Sequence, residues 1–299
     1  MSDSTGGAFV AGDLPGWARA ALAHPVRSGV RTVAGADIAY RVWTGDAGRP
    51  VLLLHGGGAH AHWWDFVAPL LDGRQVVALD FSGHGDSQWR EAYGPRLWTG
   101  EVRDVLGALF DVPPVVVGHS MGGVMGMLTA GAPDAPMAGM IAVDSPLVRL
   151  PTDPVETPFA RPSRGTATRQ ELMDRFRPSP DSGLVPPWVS RHVAHHSVRL
   201  VDGRYRWKFD PRFFAFGRPE NPVPAEPVCP VVYFHCEHGV VPPDVLDRVY
   251  DVPGGDRVEI RELPGVGHNP MLDIPAEFAE MLRPVLDKLE SDRGRGSAA

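Results

Sequence analysis

Apolar residues in this chain gather into short runs that end in glycine or proline, and helically spaced stretches lie between the runs. The stretch VRTVAGADIAYRVW (30–43) alternates and breaks at Gly35, which predicts a β-hairpin. PVLLLHGGG (50–58) is a fully apolar run that ends in glycines, as expected of a buried parallel strand entering a loop. HAHWWDFVAPLL (60–71) has the spacing of an amphipathic helix. QVVALDFSGHGDS (75–87) predicts a second buried strand, LWTGEVRDVLGALF (97–110) a helix, and PVVVGHS (114–120) a third strand. MGGVMGMLTAGA (121–132) predicts the helix after it, and MAGMIAVDSP (137–146) a fourth strand. The same rhythm returns late in the chain with PVVYFH (230–235), PPDVLDRVY (242–250), RVEIRELP (257–264) and IPAEFAEMLRPVLDKLE (274–290).

Strands that alternate with helices predict an α/β fold with a doubly wound, mostly parallel sheet and chemistry at the carboxyl ends of its strands. The rhythm stops between residues 145 and 226, where proline, arginine and aromatic residues dominate, so an inserted, mainly helical cap is expected there. Residues 17–144 and 227–290 then form the core, and 1–16 and 291–299 are expected to be disordered tails.

Composition narrows the function classes. The chain has 299 residues, 43% hydrophobic and 22% charged, with a net charge of −7, so the basic stripe of a nucleic-acid binder is missing. Cys229 and Cys236 flank an extended run that spans roughly 23 Å, beyond disulfide reach, so both are expected as free thiols in a reducing compartment. Neither a signal peptide nor a membrane-spanning run is evident, which gives a cytoplasmic expectation. The expected partner is a small-molecule substrate, with no nucleic acid and no membrane, on a monomer or homodimer.

The sharpest chemical signal is Gly118-His119-Ser120-Met121-Gly122, a G-x-S-x-G pattern between a valine-rich strand and a helix. A strand that turns abruptly into a helix crowds the residues two before and two after its corner, so both must be small, and glycine occupies both. The corner lifts the Ser120 hydroxyl clear of the sheet and places the Met121 amide at a helix N-terminus, where an oxyanion is welcome. His55-Gly56-Gly57-Gly58 ends the first buried strand and offers a second backbone amide, from Gly57 or alternatively Gly58. No G-x-x-x-x-G-K-[ST] accompanies it, so a phosphate cradle is discounted.

A serine nucleophile needs a base. Of the 12 histidines, His268 in ELPGVGHNPML sits in a glycine-flanked loop between the last expected strand and the last helix, where the order Ser, acid, His puts it. His55, His84 and His119 are read as loop-ordering groups. His192, His195 and His196 in RHVAHH lack the glutamate of H-E-x-x-H, so they are read as cap surface and no metal or other cofactor is expected.

Through HGGG, GHGDS, GHSMGG and GVGHNP, the chain resembles the α/β-hydrolase family over about residues 26–290. Many members place the acid after the strand that precedes the histidine strand; the matching position here is Gly239, a departure from that pattern. Other members carry it directly after the strand that follows the nucleophile helix, which is Asp144 in MIAVDSP. Asp144 is therefore the favoured acid and Glu237 the alternative. The resemblance implies hydrolysis of a carboxylic ester or lactone of a small hydrophobic substrate through an acyl-enzyme. Trp63, Trp64 and, in the cap, Trp188 are the candidate substrate contacts, with packing as the competing role for each. Carbon–carbon bond hydrolysis, other non-ester chemistry of this fold, and a small-molecule receptor with a weakened triad are the alternatives.

Overall fold

The structure is a computed structural model, and it describes residues 14–147, 164–215, 225–246, 254 and 258–296. The chain opens with helix α1 (Gly16–Ala23) and the strands β1 (Val26–Val33) and β2 (Ala36–Trp43). Strand β3 (Val51–Leu54) follows, then β4 (Val76–Leu79), helix α2 (Pro95–Leu109), strand β5 (Val115–His119), helix α3 (Met121–Ala130) and strand β6 (Gly139–Val143). Helices α4 (Arg169–Met173) and α5 (Pro187–His196) and the strands β7 (Val198–Val201) and β8 (Arg204–Trp207) come next. The chain finishes with β9 (Val231–His238), α6 (Pro243–Leu246), β10 (Val258–Gly267), α7 (Pro270–Asp273) and α8 (Pro275–Gly296).

Eight strands form one sheet in the order β1-β2-β4-β3-β5-β6-β9-β10, with β2 antiparallel to both of its neighbours, β1 and β4, and every other pair parallel. The central strands β3, β4, β5 and β6 are buried at every position, and apolar at all but His119, because both faces of the sheet are covered. Side-chain alternation divides them cleanly. Val51, Leu53, Val76, Ala78, Val115 and Val117 join the cluster that α8 covers, while Leu52, Leu54, Val77, Leu79 and Val116 join the one covered by α2 and α3. From β3 the chain moves to β4 on one side and later to β5 on the other. The loops leaving β3 and β5 therefore part at this switch point and open a crevice at the carboxyl edge.

Three local expectations change. Residues 60–71 do not form an amphipathic helix; they fold as two short 3-10 segments, Ala61–Trp64 and Ala68–Leu70, with Asp80 accepting from the Ala61 amide at the start of the first and Pro69 interrupting the backbone ladder. The expected mainly helical insertion carries a β-hairpin, β7–β8, beside α4 and α5 among its described residues. Residues 291–296, expected as part of a disordered tail, continue α8. Most of the expected N-terminal tail, residues 1–13, lies outside the described residues, while Leu14 packs into the core. Both cysteines are free and buried.

Asp80, at the end of β4, fixes the crevice wall. One carboxylate oxygen accepts from the Ala61 amide (2.6 Å) and the other from the Asp86 amide (2.8 Å), so one buried side chain ties together the loops that leave β3 and β4. Burial pushes its carboxyl up to about 6. Truncation by Asp80→Ala strands both amides, and urea denaturation should show a loss of roughly 2–5 kcal/mol of stability.

Candidate functional site

Ser120 stands at the corner between β5 and α3 with φ 51° and ψ −118°, a strained backbone for a residue with a side chain. Several contacts force it there. The Ser120 amide donates to the Val143 carbonyl on neighbouring β6 (2.9 Å), and α3 begins with the next residue. A methyl group on Gly118 would lie 2.5 Å from the Gly122 carbonyl oxygen, and one on Gly122 would lie 2.5 Å from the Leu54 carbonyl oxygen. Both glycines of the motif are thus required by backbone packing. The Ser120 side chain is partly exposed, unlike the buried strand before it.

His268 follows β10, and its Nδ1 donates to Asp144 Oδ2 at 2.5 Å. Asp144 directly follows β6 and is fully buried. Its Oδ2 also accepts from the Val240 amide at 2.8 Å, while no partner reaches Oδ1 among the described residues. Its own backbone is strained, with φ 39°, and its amide is held by the Phe234 carbonyl (2.8 Å). Gly239 closes against this carboxylate, where a Cβ would collide with it. The position that carries the acid in many relatives of this pattern therefore lies against the acid supplied from β6. Glu237, the alternative acid, is exposed and accepts from the Gly265 amide (2.7 Å), so it orders the end of β10 and is not bonded to His268.

Neighbouring groups hold the His268 loop. His119, beside the serine, donates from Nε2 to the His268 carbonyl (2.8 Å), and the two rings lie 4.5 Å apart. Desolvation holds His119 well below the ordinary histidine range, so its ring is neutral. Asp273 accepts from the Gly267 amide (3.1 Å) and from the Ser182 hydroxyl (2.7 Å).

The loop after β3 meets the serine from the other side. A Cβ on Gly56 would lie 3.2 Å from the Ser120 Cβ, which places this glycine backbone directly over the corner. Gly57 and Gly58 form the centre of a turn closed by the Ala59 amide on the Gly56 carbonyl (3.2 Å), with Gly58 at φ 76°. His55 anchors this turn: its Nε2 accepts from the Phe81 amide (3.0 Å) and its Nδ1 bonds the Gly56 carbonyl (2.7 Å). Burial pulls His55 down to about 4, so at neutral pH it serves as an uncharged brace.

The tryptophans fall elsewhere. Trp64 is fully buried in the core, and Trp188 packs its ring against Trp17 (5.6 Å) and Phe66 (4.9 Å). Trp63 is buried, with its ring against Phe176 (6.4 Å). These contacts give all three packing partners, with Trp188 only partly buried. Phe213 lies against the glycine turn, 3.2 Å from where a Gly57 Cβ would sit and 4.3 Å from the His84 ring. Only its place among the aromatic residues of the 145–226 stretch could have singled it out.

Of the histidines read as cap surface, His195 and His196 are partly exposed and His192 is drawn inward. His192 is buried, and its Nε2 lies 2.8 Å from Asp65 Oδ2, a pairing across 127 positions that sequence spacing could not disclose.

With this geometry in hand, comparison with known proteins is direct. Residues 51–281 match the model of the alpha/beta hydrolase family, and the chain belongs to that family. Among curated proteins, it is 33% identical over 201 residues to "Esterase Rv0045c" of Mycobacterium tuberculosis, covering 64% of this chain and 66% of that one. It is 29% identical over 174 residues to "Lipase LipV" of the same organism, covering 53% of this chain and 61% of that one. The matches thus span less than two thirds of these relatives' own length. Among solved structures, E-2-(acetamidomethylene)succinate hydrolase superposes with a TM-score of 0.74 at 18% identity, covering 88% of this chain and 100% of that chain, which is a likeness of fold.

Because its Cβ would meet two backbone carbonyls, Gly122→Ala should lower stability by about 1–3 kcal/mol, whereas Gly100→Ala, in the exposed middle of α2 with open space around it, should raise stability by about 0.5–1 kcal/mol. Thermal unfolding of the two variants beside the parent checks both signs.

Proposed function

We propose that this protein is a serine hydrolase that cleaves a carboxylic ester of a small, neutral, hydrophobic substrate through an acyl-enzyme. The observation that carries the reading is the short Asp144–His268 bond built at the same sheet edge as the strained corner that presents Ser120. Esterase and lipase relatives support ester substrates.

The chemistry follows from which atoms are engaged. Asp144 occupies Nδ1 of His268, which fixes the ring tautomer and leaves Nε2 as the basic nitrogen. In the acylation step, Nε2 takes the Ser120 hydroxyl proton as Oγ attacks the ester carbonyl carbon. The carbonyl oxygen becomes an oxyanion, held by the backbone amides of Met121, at the start of α3, and Gly57. The proton on Nε2 passes to the leaving alcohol as the carbon–oxygen bond breaks. Water then attacks the acyl-enzyme, gives its proton to Nε2, and Ser120 departs with that proton as the acid product is released. A cyclic ester would follow the same steps with the alcohol still tethered.

Residues 145–226 act in this reading as a cap that shapes the acyl or alcohol pocket. Phe213 over the Gly57 turn and the bond between His60 Nε2 and Ser197 Oγ (2.8 Å) support that placement.

Steady-state hydrolysis of short-chain p-nitrophenyl esters tests the assignment. Ser120→Ala should abolish turnover, Asp144→Asn should reduce kcat by roughly 10³–10⁴-fold, and Glu237→Gln should leave kcat within about twofold, because a rim charge away from the base contributes little. Full activity in Ser120→Ala would overturn the reading, and a large loss in Glu237→Gln with a small one in Asp144→Asn would reassign the acid.

A further inference from the structure

A second cluster of chemically capable side chains lies outside the serine site, at the junction of the loop after β3 and helix α5. His62 and Asp65 come from the 3-10 segment of that loop and its cap, and His192 and His196 lie one turn apart on the same face of α5. One ligand atom from each of these residues falls within 4.8 Å of all the others. Asp65 Oδ2 sits 2.8 Å from both His62 Nδ1 and His192 Nε2. The His196 ring stacks on His62 at 3.7 Å and makes no hydrogen bond among the described residues.

We propose that His62, Asp65, His192 and His196 form a binding site for one divalent zinc-class ion, which fastens the 164–215 segment to the loop carrying Gly57. Three imidazoles and one carboxylate match the ligand number and type that Zn²⁺ takes in tetrahedral sites. Zinc bonds of about 2.0–2.2 Å place tetrahedral ligand atoms about 3.3 Å apart, so closing the cluster around an ion requires only small rotations of side chains already in contact.

Zinc binds neutral imidazole and ionised carboxylate, so loading must displace the hydrogens that the rings turn toward Asp65. Without an ion, the ring nitrogens facing Asp65 carry hydrogens. Loading moves each hydrogen to the opposite ring nitrogen or releases it to solvent, and the freed lone pair takes the metal. Arg41 contacts Asp65 Oδ1 (3.2 Å) and His62 Nε2 (3.3 Å), so it neutralises the carboxylate while the site is free, and it must swing off His62 when the metal binds. A cleft of about 190 Å³, lined in part by Tyr40, Arg41 and Asp86, reaches the cluster at His62. The site draws on no residue of the proposed catalytic triad.

Chelator-stripped full-length protein, titrated with Co²⁺ and separately equilibrated with Zn²⁺, tests the proposal. One equivalent should bind per chain, with the intense visible absorption of tetrahedral Co²⁺, and Zn²⁺ should raise Tm. His196→Gln, at a partly exposed position, should raise Kd by at least about tenfold, the loss a metal site suffers even when only a ligand's hydrogen-bonding partner is removed. His238→Gln, at an exposed histidine on β9, should bind as the parent does. Uptake below one equivalent by the parent, a weak octahedral Co²⁺ spectrum, or uptake undiminished in His196→Gln would each overturn it. The parent titration decides the matter even if the variant folds poorly.

Discussion

The carboxyl end of β6 is the point on which the site depends. The Val143 carbonyl accepts the Ser120 amide, and the Asp144 carboxylate accepts both the His268 ring and the Val240 amide. One strand terminus therefore positions the corner after β5, the loop after β9 and the loop after β10. The positive φ of Asp144 bends the chain back at that terminus. A buried carboxylate demands partners, and two donors on one oxygen, both from late in the chain, supply them. The strain at Ser120 and at Asp144 is sustained by the same wall of apolar strands, buried at every position from β3 to β6.

How far the sequence disclosed this depended on the range of each interaction. The elbow was legible because its requirement is local: Gly118 and Gly122 are demanded by backbone atoms a few residues away and by the adjoining strand. Asp144 came into view through the family resemblance, as a carboxylate ending an apolar strand, with Glu237 as the alternative, and its bond to His268 spans 124 positions that spacing does not disclose. The displacement of the usual acid position to Gly239 became intelligible only when the packing showed that glycine against the Asp144 carboxylate. The segment at 60–71 misled because its apolar spacing suits a helix, whereas Pro69 lacks the amide that an unbroken ladder needs and the segment folds as two short turns. Large rings near a functional loop also fill the space beneath it, and Trp64 is fully buried there.

Polar contacts, rather than apolar packing alone, join the 164–215 segment to the crevice. His60 with Ser197, and Asp65 with His192, cross that junction. Braces of the same kind, His55 on Phe81 and Asp80 on Ala61, hold the glycine turn from beneath. Each brace is buried, so the turn can be free of side chains and still be fixed in space. The proposed reaction requires this, because donors to an oxyanion must be oriented before charge develops. No helix among the described residues is long and apolar enough to cross a membrane.

Covalent trapping tests the central claim most directly. The protein, treated with a fluorophosphonate and analysed by intact-mass and peptide mass spectrometry, should gain a single phosphonyl group, located on the Ser120 hydroxyl, with parallel loss of esterase activity. A phosphonyl group on any other residue, or full loss of activity with Ser120 unmodified, would contradict it.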